Sequence, residues 1–290
     1  MPLTEDIGKA YGTYYTHASQ TSSTRFGVRK KIKQSIQRYY WARHYGYEFG
    51  PISPLIKILA SLYYLSPIYR RETEAGVRCL SAIPNGRLLD VGCGSGDWLL
   101  MMRDLGWKVV GSDFDQQAVK VGAERGLDIS LGSLEEQSYP DNSFDAVTLS
   151  HVIEHVPAPL ETLQECFRIL KPGGKIVLLT PNGQSLSHRV FKADWRGLEP
   201  PRHLHIFSLG SMDRLLAQAG FPQRSVRPFI VTSVIYDSLQ LRWGRRSGKN
   251  TLRHWISWSM VRAFKLFELC IIKLDPKVGD CLIAVGEKPR

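Results

Sequence analysis

Three glycines within five residues, Gly92, Gly94 and Gly96, lie in the stretch LLDVGCGSGDWLL at residues 88–100. A glycine-rich turn between a strand and a helix lets backbone N–H groups approach a ligand closely, because no Cβ stands in the way. Dinucleotide-binding loops have the spacing GxGxxG, whereas this loop reads GxGxG and has Asp97 at the place of the third glycine. A carboxylate there repels a pyrophosphate but tolerates a positive charge. The loop therefore predicts a site for a cationic or zwitterionic nucleotide-type ligand.

A second group of reactive side chains lies in the stretch SHVIEHV, where His151, Glu154 and His155 stand at i, i+3 and i+4. On a helix these three residues would share one face. His151 follows the fourth predicted strand, at the sheet edge where ligands bind in this type of fold, and histidine has a pKa range suited to a general base. We predict that His151 is this base. The alternative for Glu154 and His155 is that they cap or support the helix, and we favour it for His155.

The stretch HRVFKADWRGLEPPRHLHIFS follows the fifth predicted strand and is rich in Trp, Arg and His. Two consecutive prolines break it, as is typical of a loop over a pocket. Arg202 could pair with a carboxylate or phosphate of a substrate, and His203 or His205 could act as a second acid or base. The alternative is that Trp195 and Phe207 pack the loop against the sheet. We predict a substrate lid.

The elements that must position these side chains alternate between residues 72 and 222. Short apolar runs bounded by Gly and Asp are separated by amphipathic helical stretches, which is typical of βαβ units and a parallel sheet. The predicted strands are RLLDVG, WKVVGSD, FDAVTLS, KIVLLTPN and, near the end of the chain, DCLIAVGEK; the predicted helices begin near Asp97 and after Asp115, or run over 160–174 and from Ser208 to Gly220. The sequence thus predicts an α/β fold.

The net charge of +11 is concentrated in two segments. Residues 25–71 hold ten Lys or Arg and one acid, and residues 223–278 hold eleven basic and three acidic residues. The segment between them is acidic. We therefore predict four parts: an N-terminal basic helical arm (1–71), a core (72–234), a basic helical insertion (235–278) and the final strand of the core sheet (279–290).

The arm begins with the aromatic, glycine-containing piece YGTYYTH at residues 11–17. It continues into a basic helix with a predicted apolar stripe of Val28, Ile32, Ile36 and Tyr39. The apolar segment PLIKILASLYYL follows, and is too short to span a bilayer. It could cover a core or lie on a surface.

The insertion is predicted to carry a helix from Thr251 to Lys273. Its apolar stripe consists of Leu252, Trp255, Ile256, Met260, Phe264, Phe267 and Ile271. Charges in the middle of the segment exclude a spanning helix. Two interpretations remain: a helix lying on an anionic membrane surface, or a helix packed on the sheet with a solvated basic face.

Five scattered cysteines without a CxxC pair argue against a disulfide framework and a structural zinc site. The sequence shows no signal peptide and no apolar run of bilayer length. We therefore predict a cytoplasmic protein, with attachment to the inner face of the membrane as a further possibility. The oligomeric state stays open.

The sequence resembles the class I S-adenosylmethionine-dependent methyltransferases, in their bacterial small-molecule branch, over residues 76–222. The resemblance rests on four motifs in order: LLDVGCGSGDWLL, VVGSDFD, GSLEEQSYPDNSFDAVTLSHVIEHV and ECFRILKPGGKIVLLTPN. It implies a Rossmann-like, mainly parallel seven-stranded sheet with helices on both faces, to which the helical arm and insertion are added. The implied cofactor is S-adenosylmethionine.

The resemblance also implies roles for single residues. Asp90, Gly92 and Gly94 would line the pocket for the methionine part of the cofactor, and Asp113 would accept hydrogen bonds from both ribose hydroxyls. Many relatives have an Asp at the position of Ser133, so the hydroxyl of Ser133 and the amide of Leu134 are assigned to the adenine ring. Phe114 and Ser150 complete the predicted cofactor site.

Residues 151–155 also resemble quinone-biosynthesis O-methyltransferases, in which acidic residues and a histidine here have been associated with a divalent ion. His151 replaces the first acid, so we predict no bound metal. The lid resembles a WRGLxPPRHLHxF segment of relatives associated with cell-surface glycan and lipid-carrier pathways. We assign His155, Trp195, Arg202 and His203 to substrate binding, and His151 and His205 to catalysis.

The sequence therefore predicts a methyltransferase that acts on a hydroxyl of a small or lipid-linked acceptor, such as a glycan sugar or a quinone-like phenol. An anionic membrane surface is a possible partner. An RNA methyltransferase is a second hypothesis, but no RNA-binding module and no NPPY-like motif is recognisable, which makes nucleic acid a poor candidate. A non-catalytic, membrane-bound protein that binds the cofactor is a third.

Overall fold

The structure is a computed structural model of the 290-residue chain. It describes residues 27–229, 231–244 and 277–290, together with residues 260, 261, 263, 264, 267, 271 and 275. The predictions for residues 11–17, and for most of the helix from Thr251 to Lys273, lie outside the described residues.

The described helices alternate with strands through the middle of the chain. The α-helices are α1 Gly27–Tyr45, α2 Pro54–Tyr63, α3 Pro67–Gly76, α4 Asp97–Asp104, α5 Gln116–Glu124, α6 Pro159–Ile169, α7 Leu186–Phe191, α8 Leu209–Gln218 and α9 Thr232–Gly244. The strands are β1 Arg87–Val91, β2 Lys108–Asp113, β3 Asp128–Leu131, β4 Phe144–Ser150, β5 Leu170–Pro181, β6 Gln223–Phe229 and β7 Cys281–Glu287.

The strands form one seven-stranded sheet in the order β3-β2-β1-β4-β5-β7-β6. Strand β2 runs parallel to both β1 and β3, with Leu89 opposite Val110. Strands β6 and β7 are antiparallel, with Val226 opposite Ala284. The predicted α/β fold with a mainly parallel seven-stranded sheet is confirmed.

The chain divides into two compact units. The loop unit comprises the described residues up to Thr148, with Arg168–Val177 and Arg290. The histidine unit comprises Leu149–Phe167 and the described residues of Leu178–Pro289. The division of the chain into the four predicted parts stays a prediction.

Capping residues fix two helix starts where the sequence places them. The Asp115 side chain accepts hydrogen bonds from the amides of Gln117 and Ala118 at the start of α5. Ser208 and Ser211 form a capping box at the start of α8. The predicted helix over 160–174 is wrong at its end, because α6 stops at Ile169 and β5 begins with the next residue.

The physical reason for this early stop lies in the sequence KPGG that follows. Pro172 disfavours helical backbone at the residue before it, and Gly173 has a φ of 78°, in the left-handed region. The carbonyl groups of Arg168 and Ile169 accept hydrogen bonds from the amides of Asn142 and Ser143. The backbone of β5 therefore starts five residues earlier than the glycine stop signal suggests.

Helices α1, α2 and α3 pack together in the loop unit. The buried side chains of α1 are Ile36, Tyr40 and Trp41, whereas Ile32 is exposed. Of the predicted stripe, Ile36 is thus buried and Ile32 is exposed. The indole of Trp41 donates a hydrogen bond to the carbonyl of Thr73 at 2.8 Å, which sets the buried face.

Near the other end of the chain, Val261 is buried in a cluster with Phe191, Trp195, Ile235 and Leu239. Met260 and Phe267, two members of the predicted stripe, are exposed. Within the described part of the chain, every helix is too short or too polar to cross a membrane.

Candidate active site

The glycine loop follows β1 in the loop unit. Gly92, Gly94 and Gly96 have φ angles of 69°, 55° and 80°, a backbone region that glycine adopts at little cost. The amides of Gly92 and Cys93 both donate to the carbonyl of Ser112 in β2, at 2.7 and 3.1 Å. These bonds hold the loop against β2, whose last residue, Asp113, is the next residue predicted to bind the cofactor.

Asp113 ends β2 and is held by two backbone amides. Its Oδ2 accepts a hydrogen bond from Gly94 at 2.7 Å, and its Oδ1 accepts one from Asp115 at 2.9 Å. Burial raises the pKa of this carboxyl above its ordinary value. Each carboxylate oxygen has a further lone pair that can accept from a hydroxyl. Phe114, next to it, exposes 72% of its surface and offers a flat apolar face.

Asp90 is fully buried and faces into the protein. Its carboxylate forms an ion pair with Arg78 and accepts a hydrogen bond from the Thr148 hydroxyl at 2.8 Å. The guanidinium of Arg78 also stacks 3.6 Å from the ring centroid of Trp98. Arg78 is a residue that sequence reasoning missed, since nothing in its spacing connects it to Asp90. The predicted contact of Asp90 with the cofactor stays a prediction.

The residues assigned to the adenine ring lie in a short turn after β3. The amide of Ser133 donates to the Glu136 carboxylate at 2.7 Å, and the Ser133 hydroxyl accepts from the Glu136 amide at 3.2 Å. This reciprocal pair closes the turn that leads into the 3-10 helix Glu135–Gln137. Leu134 is buried. The contacts of Ser133 and Leu134 with the adenine stay predictions.

The histidine unit holds the second group of predicted residues. Strand β4 ends at Ser150, and His151 after it has a φ of 56°. The segment that follows is a turn, so the three residues do not share a face of a helix. The left-handed backbone at His151 accounts for this, because it does not continue into a helix. The turn still brings His151 Nδ1 to 3.3 Å from Glu154 Oε1.

Glu154 is fully buried in this turn. Its Oε2 accepts a hydrogen bond from the Thr180 hydroxyl at 3.0 Å, whereas Oε1 has no well-aligned hydrogen bond among the described residues. Burial raises the pKa of the Glu154 carboxyl, but the interaction with the nearby His151 and the charges of two further histidines outweigh it. That pKa therefore lies below its ordinary value of 4.5. Thr180 is a second partner that the sequence did not indicate.

The two further histidines are His155 and His203, whose ring centroids lie 4.7 Å apart. His155 Nδ1 lies 3.1 Å from the carbonyl oxygen of Arg202, and His203 Nδ1 lies 2.7 Å from that of Gly197. Burial lowers the pKa of His155 below its ordinary value. One donor atom from each histidine and one from Glu154 lie within 4.8 Å of one another, a spacing at which three side chains can share a metal ion. The predicted absence of a metal stays a prediction.

The predicted lid is held together by Glu199. Its carboxylate pairs with Arg202 at 2.9 Å and with Arg196 at 3.1 Å. Trp195 is buried and stacks on His188, with 4.3 Å between the ring centroids, which favours the alternative that it anchors the loop. Glu199 is the third residue that sequence reasoning missed.

The lid is also hydrogen-bonded to the turn that contains Glu154. The amides of Leu204 and His205 donate to the carbonyl of Glu154 at 2.8 and 3.1 Å. The Nε2 atom of His205 is buried and has no hydrogen-bond partner in the described ranges. The substrate-binding roles of the lid residues and the catalytic role of His205 stay predictions.

The loop unit thus presents a set of groups that suits a positively charged sulfur nucleotide. Asp113 offers two acceptor oxygens for a sugar diol, and the exposed Phe114 ring offers a face for a base. The glycine loop offers open backbone next to them. These residues fit S-adenosylmethionine.

Comparisons with known proteins agree with this fit. A family model described as "Methyltransferase domain" matches residues 68–226, more than half of the chain. The demethylmenaquinone methyltransferase of Listeria monocytogenes serotype 4a (strain HCC23) is 32% identical over 166 residues, which cover 52% of this chain and 69% of that protein.

Solved structures show the same fold at low identity. A SAM-dependent methyltransferase from Archaeoglobus fulgidus is 23% identical with a TM-score of 0.50, covering 70% of this chain and 86% of that one. An S-adenosylmethionine-dependent methyltransferase from Mesorhizobium loti is 18% identical with a TM-score of 0.53, covering 75% and 97%. The chain therefore belongs to the S-adenosylmethionine-dependent methyltransferases.

Proposed function

We propose that this enzyme transfers a methyl group to a hydroxyl oxygen of a small or lipid-linked acceptor, and that His151 accepts the hydroxyl proton. The name of the Listeria relative supports a quinone-like ring as the acceptor, and we assign the transfer to a hydroxyl of its reduced form. A sugar hydroxyl of a lipid-linked glycan is the other acceptor, supported by the lid motif of the sequence.

The observation that carries the proposal is the contact of 3.3 Å between His151 Nδ1 and the buried carboxylate of Glu154. A carboxylate at this position favours a proton on Nδ1, which leaves Nε2 free to accept one. The lowered pKa of Glu154 supports an ionised carboxylate at neutral pH. The His151 side chain is 45% exposed, so an acceptor has access to the ring.

The reaction requires one proton transfer and one displacement. When bound, S-adenosylmethionine supplies a methyl group on a positively charged sulfur, and the sulfur–carbon bond breaks as the new oxygen–carbon bond forms. The acceptor hydroxyl gives its proton to Nε2 of His151, which later releases it to water. Alignment of two reactants contributes about 7–11 kcal/mol in favourable cases, so Asp113 and the glycine loop serve catalysis by fixing the position of the cofactor.

His205 is our proposed second acid or base, since its buried Nε2 has no partner among the residues described. Arg202 and His203 lie beside Glu199, and we assign them to the acceptor side of the site together with His155. Trp195 supports this side by packing the lid against Ile235 and Leu239.

The test is His151→Ala in the full-length protein, with a reduced naphthoquinone that lacks the methyl group and an alkyl glycoside as acceptors. Loss of a general base lowers kcat by roughly a hundredfold to ten-thousandfold. Release of S-adenosylhomocysteine measures turnover, and calorimetry measures cofactor affinity, which should stay within about twofold. His44→Ala, at an exposed histidine of α1, is the matched control.

An equal loss of turnover and cofactor affinity in His151→Ala would show that His151 has a structural role. NMR of the methylated product distinguishes a methyl ether from methylation at carbon, and methylation at carbon would overturn the O-transfer. Turnover with RNA but with neither small acceptor would overturn the choice of acceptor.

A further inference from the structure

Helix α2 exposes a continuous aliphatic face. Leu55, Ile58 and Leu62 are 64%, 60% and 62% exposed, and Leu65 just beyond the helix is 75% exposed. Their spacing of three and four residues places them on one side of the helix. Ala60, on the other side, is fully buried. Single exposed aliphatic residues are common, but a continuous row of four indicates an interaction surface.

The inner side of α2 is fixed to the rest of the loop unit. The ring centroid of Tyr64 lies 4.3 Å from that of Tyr40 in α1, and the Tyr64 hydroxyl lies 3.0 Å from the hydroxyl of Thr73 in α3. Tyr40 in turn donates a hydrogen bond to Glu74 at 2.8 Å. The aliphatic face is therefore the outer side of a packed three-helix group.

The segment that carries this face is strongly basic. Residues 27–71 contain nine Lys or Arg and a single acidic residue, Glu48. Lys57 on α2 is exposed, as are Lys30, Lys31 and Lys33 on α1. A second copy of the chain would bring two such basic segments together, and their charges would repel. An anionic occupant is complementary to them.

The combination of aliphatic and basic side chains indicates which kind of anionic partner binds here. Nucleic acid binds lysine and arginine through its phosphates and gives no reason for four exposed Leu and Ile side chains. An anionic membrane surface binds both kinds of side chain, since aliphatic side chains enter the layer below the headgroups while lysines bind the headgroups.

We propose that α2 docks the enzyme onto an anionic phospholipid membrane, with Leu55, Ile58, Leu62 and Leu65 inserted and Lys57 at the headgroups. The helix lies parallel to the membrane plane. This proposal does not depend on the identity of the methyl acceptor.

The test measures how the full-length protein distributes between solution and sedimented vesicles. Vesicles of phosphatidylcholine alone are compared with vesicles that also contain phosphatidylglycerol. The wild-type protein binds the anionic vesicles, and salt weakens this binding. Ile58→Asn/Leu62→Asn lowers the partition coefficient at least about tenfold. The matched control Ile83→Asn/Leu131→Asn changes one Ile and one Leu that are 41% and 51% exposed elsewhere in the same unit, and binds like wild type.

Two further measurements separate docking from a folding defect. Lys57→Glu lowers binding to the anionic vesicles several-fold and leaves binding to neutral vesicles unchanged. Hydrogen exchange of residues 54–65 in the wild-type protein slows when anionic vesicles are added, and needs no variant.

Three outcomes would overturn the proposal. The first is equal vesicle binding by the α2 variant and its control, which would place any membrane contact elsewhere in the chain. The second is unchanged exchange of residues 54–65 upon addition of vesicles. The third is protection of these residues that rises with protein concentration in the absence of lipid, which would show that a second copy covers the face.

Discussion

Asp90 in the loop unit and Glu154 in the histidine unit are both buried carboxylates, and they differ in the kind of partner that faces them. In the loop unit, Asp90 is paired with the guanidinium of Arg78 and accepts a hydrogen bond from Thr148. In the histidine unit, Glu154 faces imidazoles and the hydroxyl of Thr180. A guanidinium stays protonated at any pH at which a protein is folded, whereas an imidazole gains and loses its proton near neutral pH. The first carboxylate therefore has a fixed counter-charge, and the second has a variable one.

This difference distinguishes an ion pair that stabilises the fold from the pair that we propose takes part in the reaction. The pair of Arg78 and Asp90 joins the segment before β1 to the strand that precedes the glycine loop. Neither of its side chains exchanges a proton in the proposed reaction. The pair of His151 and Glu154 contains the side chain that we propose as the proton acceptor. Three variants test this division, beginning with the largest expected effect.

Arg78→Met should strongly destabilise the fold, because it leaves the Asp90 carboxylate buried without a counter-charge. Removal of one partner of a buried ion pair costs about 3–5 kcal/mol. The free energy of unfolding from urea titration measures the effect. Arg125→Met is the matched control, since Arg125 pairs with the exposed Asp97 and should cost at most about 1 kcal/mol. Similar small effects of both variants would show that the buried pair does not hold the fold.

Asp113→Ala should weaken S-adenosylmethionine binding while the protein stays folded. Charge-assisted hydrogen bonds contribute about 1.5–3 kcal/mol, which corresponds to a loss of roughly tenfold to hundredfold in affinity. Calorimetric titration with the cofactor measures it. In the control Asp115→Asn, the neighbouring charge is removed but the cap of α5 is kept, and the affinity should stay within about twofold. An equal loss in both variants would indicate that charge, and not the hydrogen bonds of Asp113, determines affinity.

Local spacing in the sequence was enough to predict the glycine loop and Asp113 in the loop unit. Strands β1 and β2, the glycine loop and Asp113 follow one another within 27 residues, and each has a signal in its own neighbourhood. Alternating apolar runs and helices predicted the sheet for the same reason. The error at the end of α6 arose because the helix stops before its proline and not at its glycines.

The partners of the buried carboxylates could not be predicted, because they come from distant parts of the chain. Arg78 and Thr148 lie 12 and 58 residues from Asp90, and Thr180 lies 26 residues from Glu154. No sequence period links such residues. The apolar face of α2 shows the same limit: its pattern allowed either a buried or a surface position, and only the packing of the neighbouring helices decides between them.

The smallest expected effect belongs to Glu154→Gln, and it depends on pH. Because the pKa of Glu154 is lowered in the folded protein, the ionised carboxylate contributes its full stability above the ordinary carboxyl pKa of 4.5. This contribution is lost as pH falls through the lower folded pKa. The difference in unfolding free energy between wild type and Glu154→Gln should therefore shrink from neutral pH towards acid.

The size of this change should be of the order of 1 kcal/mol or less, the net worth of one intramolecular hydrogen bond, because burial of the charge offsets part of its attraction to the histidines. Urea unfolding of both proteins at a series of pH values measures it. A difference that grows towards acid pH would mean that Glu154 is protonated in the folded protein. His151 would then lack the anionic partner that distinguishes this unit from the fixed charge pair of the other.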